Sequence, residues 1–312
     1  MEFLKLLEGI RFPALNWLMQ LITTCGEELV FMGVALILFW CVDKWKGYYI
    51  LSVGFLGTLL SQFLKLLCRV PRPWVRDPSF TVVESAKSQA TGYSFPSGHT
   101  QNAVGTFGGI ARSCKKTWLR WTMGILTALI AFSRMYLGAH YPSDVGAALV
   151  IGVVLVFAMY PVIRRAQQSA RFMYGFLGVM TLIAVGYLAY LLLCPFPAEV
   201  RITDPVTGIS NYEEGLKNGY TLLGCLLGLI VSYAVDRRVN FSELATPLGQ
   251  LCKVVLGLAI IIAIRVLLKK LFAMISDDLF WNAPRYFCMV AFAGVIWPRS
   301  FPFWARLGQK KH

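Results

Sequence analysis

Long apolar segments recur along the whole chain, and they constrain the fold more than any other feature. Three of the clearest cover residues 145–163, 172–194 and 250–272. Each could cross a hydrocarbon core about 30 Å thick as a helix of about 20 residues. The 312 residues are 57% hydrophobic, with a mean hydropathy of +0.60, which exceeds what a soluble core of this size requires. The sequence therefore predicts an all-α polytopic membrane protein.

The apolar pattern predicts about nine transmembrane helices. We place them at 26–42, 46–64, 96–111, 121–133, 145–163, 172–194, 218–235, 250–272 and 280–298. Residues 1–25 precede them as an N-terminal interfacial helix. No cleavable signal peptide is expected, because Glu2 and Glu8 lie there without a small-residue cleavage site. The expected organisation is this helix, a helical bundle over 26–171 that holds three polar motifs, and a C-terminal extension of about four helices over 172–312.

The segment Ser133–Asp144 places one Arg, one His and one Asp between two apolar runs. Ionisable groups at the edge of a membrane span are costly and usually mark a site. Asp144 follows His140 by four residues, so its carboxylate can hold the imidazole in one tautomer and leave the other nitrogen able to attack an electrophile. Pro142 suits the first turn of a helix, from which Asp144 would reach back to His140. Taken alone, the segment is also compatible with a hydrogen-bonded structural histidine.

Two upstream motifs favour the chemical interpretation. Lys65, followed at Arg72 by an Arg-Pro pair, ends one apolar segment, and Pro96-Ser97-Gly98-His99 opens another. Each is ordinary alone, because cations at a membrane boundary usually snorkel and Pro-Ser-Gly is a common helix start. The loop over 66–95 joins the two motifs, and a loop of this length is expected to fold over the site.

Together the three motifs supply the parts for phosphoryl transfer. Three cations can neutralise a tetrahedral oxyanion, namely Lys65, Arg72 and Arg134. Ser97 and Gly98 would present backbone N–H groups at a helix N-terminus, which favours anions. His99 is a second imidazole, able to give a proton to a leaving oxygen.

These three motifs, in this order, resemble the type 2 phosphatidic acid phosphatase superfamily of membrane lipid phosphatases, soluble bacterial acid phosphatases and vanadium haloperoxidases. Every signature position is filled, and the resemblance covers roughly residues 26–163. It implies a phosphate-binding set of Lys65, Arg72, Ser97, Gly98 and Arg134. It also implies that His140 is the nucleophile of a phosphohistidine intermediate, that Asp144 orients it and that His99 is the acid for the leaving group. No metal or other cofactor is expected, because the cations are side chains.

Basic residues are divided unequally between the two sides of the predicted bundle. The net charge of +14 would suggest nucleic acid for a soluble protein, but a membrane explains it here, and no nucleic-acid partner is expected. The side of the 43–46 turn carries sixteen Lys and Arg against three acids, and it includes the tail with Lys310 and Lys311. The motif side carries fourteen against thirteen, and its acidic loop holds Glu199, Asp204, Glu213 and Glu214. The positive-inside rule then predicts a cytoplasmic C-terminus and an outward-facing site, in a bacterial cell membrane.

The expected function is hydrolysis of a lipid phosphate or pyrophosphate, because all three motifs lie at the ends of spans and would hold the phosphate at headgroup level. Polyprenyl pyrophosphate, phosphatidic acid and phosphatidylglycerol phosphate are the leading candidates. In span count the C-terminal third resembles the glucose-6-phosphatase and sphingosine-phosphate phosphatase branch, so a sugar-phosphate phosphatase is one alternative. A lipid phosphotransferase is another. A transporter of anionic lipids is disfavoured, since binding alone gains little from two imidazoles. The sequence does not indicate the oligomeric state.

Overall fold

A computed structural model describes residues 1–203 and 208–307. Asp204, Lys310 and Lys311, which contributed to the charge comparison, lie outside these residues. Within the described ranges the chain is built from helices and contains no β-strand; one isolated β-bridge pairs Thr203 with Ser210. The predicted all-α fold class is confirmed.

Ten helices cover the first half of the chain. They are α1 (Glu2–Gly9), α2 (Pro13–Thr24), α3 (Glu28–Cys41), α4 (Lys44–Cys68), α5 (Pro73–Arg76), α6 (Glu84–Lys87), α7 (Gly98–Ala103), α8 (Gly109–Ser113), α9 (Thr117–Tyr136) and α10 (Pro142–Gln168). A π-helical turn, Val104–Gly108, joins α7 to α8. The described part of the second half holds α11 (Ala170–Leu193), α12 (Asn211–Val239), α13 (Pro247–Ala273), α14 (Asn282–Ala291) and α15 (Phe301–Arg306).

Six described segments are long and apolar enough to cross a membrane. They are Lys44–Arg76, Pro142–Gln168, Ala170–Leu193, Asn211–Val239, Pro247–Ala273 and Leu279–Arg306. Helices α2 and α3, bent by 44° at their junction, add a seventh if they form one span. The predicted count of nine is therefore not confirmed. Helices do occupy the other predicted positions, but α7 and α8 are short, and α9 carries Arg120 and Arg134.

Two local features differ from the prediction. Residues 1–25 form two helices rather than one, because Pro13 starts α2 and the residue before it, Phe12, is held in an extended conformation. Helix α12 begins at Asn211, so Glu213 and Glu214 lie in its first turn and not in a loop. Acidic side chains in that position are favoured by the helix dipole.

The chain divides into two compact units. The first comprises Met1–Val34, Tyr49–Val162 and Leu193–Gly215, and it contains all three motifs. Helix α9 packs against α2 and α7. Ile130 of α9 contacts Ala103 and Phe107, and Tyr136 and Leu137 form a buried cluster with Met19 and Ala86. This packing fixes the last turns of α9 on both sides of Arg134.

The second unit comprises Ala35–Tyr48, Ile163–Leu192 and the chain from Leu216. Three of its buried polar side chains are paired inside the unit. The Trp40 indole donates to the Ala293 carbonyl at 2.9 Å, and Lys44 forms a 3.0 Å ion pair with Asp236. Lys253, on α13, donates to the Trp40 carbonyl at 2.7 Å. The charged side chains of Lys44, Asp236 and Lys253 therefore have partners inside this unit.

Candidate active site

The third motif adopts the local geometry that its sequence predicts. Helix α10 begins at Pro142, and Asp144 in its first turn lies with Oδ2 3.5 Å from Nδ1 of His140. Gly138 supplies the turn between α9 and α10 with φ +84°, a conformation that L side chains rarely adopt. A Cβ there would also come within 3.1 Å of the Phe80 ring. His140 and Asp144 are both buried.

The Oδ2 atom of the Asp144 carboxylate accepts hydrogen bonds from two further groups. Ser94 Oγ donates to Oδ2 at 2.5 Å, and the Tyr141 N–H donates to the same oxygen at 2.9 Å. Ser94 is itself anchored, since its N–H donates to the Val70 carbonyl at 2.8 Å. Hydrogen bonds to an ionised acceptor are among the stronger ones in proteins. Asp144 is thus held on the Nδ1 side of His140 before any substrate binds.

Arg72 faces the opposite nitrogen of His140. Its Nη1 lies 3.0 Å from Nε2 of the imidazole and 3.4 Å from Nδ1. Because a guanidinium can only donate, we assign the nearer nitrogen, Nε2, as the acceptor, which puts the ring proton on Nδ1 towards Asp144. Burial, together with Arg72 and Arg134, holds the pKa of His140 well below its usual value, which keeps the ring neutral. A neutral imidazole with its lone pair next to cations is suited to attack phosphorus.

Backbone carbonyls hold Lys65 and Arg72 in place. The Thr91 carbonyl accepts from Lys65 Nζ at 3.1 Å and from Arg72 Nη2 at 2.5 Å. The Gly92 carbonyl accepts from Arg72 Nε at 2.9 Å, and that of Ala139 accepts from Arg72 Nη1 at 3.0 Å. Both cations are buried. The segment Thr91–Gly92, at the end of the long loop, therefore positions two of the three predicted phosphate-binding cations.

Arg134 is completely buried in the last turn of α9, and its guanidinium is only partly paired. Nη1 donates to Thr23 Oγ1 at 2.9 Å, whereas Nε and Nη2 have no hydrogen-bond partner among the described residues. The same is true of His99 Nε2, and His99 lies close enough to Arg134 and His140 to interact with both electrostatically. Leaving a buried donor unsatisfied costs about 1–3 kcal/mol. The two unpaired nitrogens of Arg134 are therefore able to donate hydrogen bonds to an anion.

Ser97 and Gly98 lie at the start of α7, as predicted. Ser97 Oγ accepts from the Thr100 N–H at 3.4 Å and from the Thr100 hydroxyl at 2.9 Å, which caps the helix. The Ser97 N–H donates to the Asp144 carbonyl at 3.2 Å and so links the second motif to the third. A Cβ built on Gly98 would meet nothing within 4 Å, so open space lies beside that residue. For the Ser97 N–H to contact a phosphate, its hydrogen bond to the Asp144 carbonyl would have to break.

Comparison with known proteins identifies the family of the chain. Residues 45–168 match the model of the PAP2 superfamily, and residues 220–310 match that of the transmembrane extension of PAP2 superfamily phosphatases. Phosphatidylglycerophosphatase B of Bacillus subtilis (strain 168) is 31% identical over 161 residues, which are 47% of this chain and 75% of the relative. The chain belongs to the PAP2 superfamily.

Two other relatives show how far the PAP2 similarity extends. Undecaprenyl-diphosphatase BcrC of Bacillus subtilis (strain 168) is 31% identical over 107 residues, 34% of this chain, and the match spans only 52% of that relative. Sphingosine-1-phosphate phosphatase 1 of Mus musculus is 23% identical over 275 residues, 82% of this chain and 60% of that protein. Similarity to PAP2 proteins thus reaches beyond the motif region into the extension.

Several residues of this PAP2 site were not found by sequence reasoning. They are Thr23, Thr91, Gly92, Ser94 and Glu214. Thr23 and Glu214 lie outside the PAP2 match at 45–168, and no pattern in the sequence marks them. Gly92 has φ +67°, and a glycine in a loop that joins two motifs was the one available signal. All eight predicted site residues lie in the first unit, and the bonds described above connect Lys65, Arg72, His140, Asp144 and Ser97 in one network.

Proposed function

We propose that this PAP2 protein hydrolyses the phosphate or pyrophosphate of a membrane lipid through a phosphohistidine on His140. The observation that carries the proposal is the surroundings of His140. Asp144 lies on its Nδ1 side, Arg72 faces Nε2 at 3.0 Å, and the buried guanidinium of Arg134 has two nitrogens without a partner in the described chain. These contacts support a nucleophilic role for His140, because the surrounding cations would match the charge of a phosphoryl group.

The proposed reaction has two displacements. In the first, His140 Nε2 forms a bond to phosphorus, the bond from phosphorus to the leaving oxygen breaks, and His99 gives that oxygen its proton. Lys65, Arg72 and Arg134 bind the non-bridging oxygens and neutralise their charge. In the second, water attacks the phosphohistidine while His99 takes its proton, and the P–N bond breaks to release phosphate. Asp144 stabilises the imidazolium character of His140 throughout.

The depth of the site supports a lipid substrate. Lys65 lies in the last turn of α4 and His140 immediately precedes α10, and both helices belong to candidate membrane spans. The scissile phosphate would therefore lie near headgroup level, where a lipid can arrive from the side without its chains leaving the bilayer. Two of the relatives are named for lipid substrates that carry a diphosphate or a glycerophosphate headgroup. Polyprenyl pyrophosphate, phosphatidic acid and phosphatidylglycerol phosphate are our candidates.

A substrate panel with purified protein in nanodiscs tests this proposal. We expect higher kcat/KM for the three lipids than for glucose 6-phosphate, because a soluble sugar phosphate would have to pass the 66–95 loop. A His140→Ala sample prepared in parallel corrects for contaminating phosphatases. Clear preference for glucose 6-phosphate would contradict lateral access, and product analysis with added alcohol acceptors separates hydrolysis from phosphotransfer.

We also propose that the site faces outward from a bacterial cell membrane and that the C-terminus is cytoplasmic. The charge asymmetry between the two sides supports this orientation. Glu199 and Lys115 are exposed and lie on opposite predicted sides. In a background in which the native cysteines are replaced, including the exposed Cys68, Cys194 and Cys288, a cysteine at 199 should label in intact cells and one at 115 should not. The reverse labelling pattern would invert the orientation.

A further inference from the structure

Two of the proposed phosphate-binding cations are held by backbone that is itself held from elsewhere. Lys65 Nζ and Arg72 Nη2 both donate to the Thr91 carbonyl, and Arg72 Nε donates to that of Gly92. A peptide segment at the end of a loop has little intrinsic rigidity, because fixing the backbone of one residue costs about 1–2 kcal/mol. The position of these cations therefore depends on what holds Thr91 and Gly92.

The side chain that holds this segment is Glu214. Its Oε1 accepts a hydrogen bond from Thr91 Oγ1 at 2.5 Å, across 123 residues of sequence. Its Oε2 lies against Gly92, since a Cβ built on that residue would be 2.6 Å from this oxygen. Glu214 is buried, and it lies close enough to Lys65 to interact with it electrostatically. The carboxylate is thus directly behind the segment that carries both carbonyls.

Its position on α12 is well defined. Glu214 lies in the first turn of the helix, and its N–H donates to the Ser210 carbonyl at 3.0 Å. The neighbouring Glu213 has a different role, because its Oε2 accepts from the Ser210 N–H at 2.7 Å and from Ser210 Oγ at 2.8 Å. Glu213 therefore caps the helix, whereas Glu214 points to the loop.

We propose that Glu214 is a positioning residue of the phosphate-binding site and that it acts through Thr91. The hydrogen bond from Thr91 fixes the Thr91–Gly92 carbonyls, and these fix the ammonium of Lys65 and the guanidinium of Arg72 relative to His140. This inference rests on the proposed function. It assigns a role in the phosphatase reaction to a residue that follows the PAP2 match at 45–168 and precedes the extension match at 220–310.

Four variants test the route through the hydrogen bond. Glu214→Ala and Thr91→Val each remove one partner, and kcat/KM on the preferred lipid should fall by roughly 10- to 100-fold, because displacing a binding group by about 1 Å costs up to about 100-fold. Their double variant should be no worse than the poorer single variant. Glu214→Gln and Thr91→Ser keep an acceptor and a hydroxyl, and they should recover activity to within about threefold.

Glu213→Ala is the matched control, since it weakens the cap of the same helix without touching Thr91. Its kcat/KM should stay close to that of the unmodified protein. Vanadate can adopt the trigonal-bipyramidal geometry of phosphoryl displacement and would bind the cations that Glu214 positions. Its inhibition constant should therefore rise in Glu214→Ala by about the factor by which kcat/KM falls, a change that a purely structural role would not produce. It should remain unchanged in Glu213→Ala.

The outcomes separate the two proposals. Equal activity in Glu214→Ala and the unmodified protein, additive effects in the double variant, or failure of Glu214→Gln to recover activity would each overturn the positioning role while leaving the phosphatase function intact. If the unmodified protein hydrolysed no phosphate ester, the proposed function would fail instead. The stabilisation of each variant by vanadate in thermal unfolding would then still report on the anion site, and equal stabilisation of Glu214→Ala would overturn the inference.

Discussion

Arg134 in the first unit and Lys253 in the second are both completely buried cations, yet their surroundings differ. Lys253 Nζ donates to the Trp40 carbonyl at 2.7 Å and to the Glu243 carbonyl at 3.0 Å, and it lies 4.3 Å from the centre of the Phe301 ring. Arg134 has one bond, to Thr23, and two guanidinium nitrogens that lack a partner within the described residues. Both side chains are equally buried, but they differ in how many of their hydrogen-bond donors have partners.

The comparison teaches that a buried charge does not by itself mark a binding site. Removing a cation from water costs several kcal/mol, and the protein can offset this with carbonyls, acids or aromatic rings. Around Lys253 the chain supplies those groups, so the residue cross-links elements of its own unit. Around Arg134 the chain supplies only part of them, and the remainder is left for an anion. Unpaired hydrogen-bond donors beside the proposed nucleophile favour a binding role, whereas paired donors favour a structural role.

The largest effect is expected for His140→Ala. Removal of the proposed nucleophile should lower kcat by on the order of 10⁴- to 10⁶-fold, the range seen when a covalent catalyst is deleted. Phosphate release from the preferred lipid measures the loss, and thermal unfolding together with membrane extraction checks that the protein is folded and inserted. Undiminished turnover would exclude His140 as the nucleophile. The unpaired donors of Arg134 would then no longer indicate a catalytic site.

A smaller effect is expected for Arg134→Met, which removes the partly paired cation while keeping an apolar side chain in the space. Loss of one preorganised donor group costs about 10²- to 10³-fold in kcat, and we expect a fall in this range. The vanadate inhibition constant should rise in parallel, because vanadate would use the same nitrogens.

Lys253→Met is the matched substitution in the second unit, and it should have the smallest effect on activity. We expect kcat/KM to remain within a few-fold of the unmodified protein, while thermal stability falls because the Trp40 and Glu243 carbonyls lose a donor, at about 1–3 kcal/mol for each buried group left unsatisfied. If Lys253→Met lowered kcat/KM as much as Arg134→Met, paired and unpaired hydrogen-bond donors would not distinguish structural from functional cations.

The sequence by itself determined the features that follow from local rules. Apolar length predicts membrane helices, and the all-α class is confirmed. The spacing of His140, Pro142 and Asp144 was sufficient to predict that the carboxylate reaches back to the imidazole, because a proline at the first helical position and a residue two further on fall in one turn. The span count of nine was less accessible, since hydropathy weakens where a helix such as α9 carries functional cations.

Only the tertiary structure decided what surrounds these residues. Thr23 bonds Arg134 across 111 residues, Ser94 bonds Asp144 across 50, and Thr91 bonds Glu214 across 123. Each donor or acceptor is a common residue type in an unremarkable sequence context, so no periodicity or spacing predicts the pair. The boundary of α12 mattered as well, because placing Glu214 in a loop hid the direction of its side chain. Motif residues can be recognised in the sequence because charged side chains are rare within an apolar chain. The groups that position them can be identified only from the way the helices pack together.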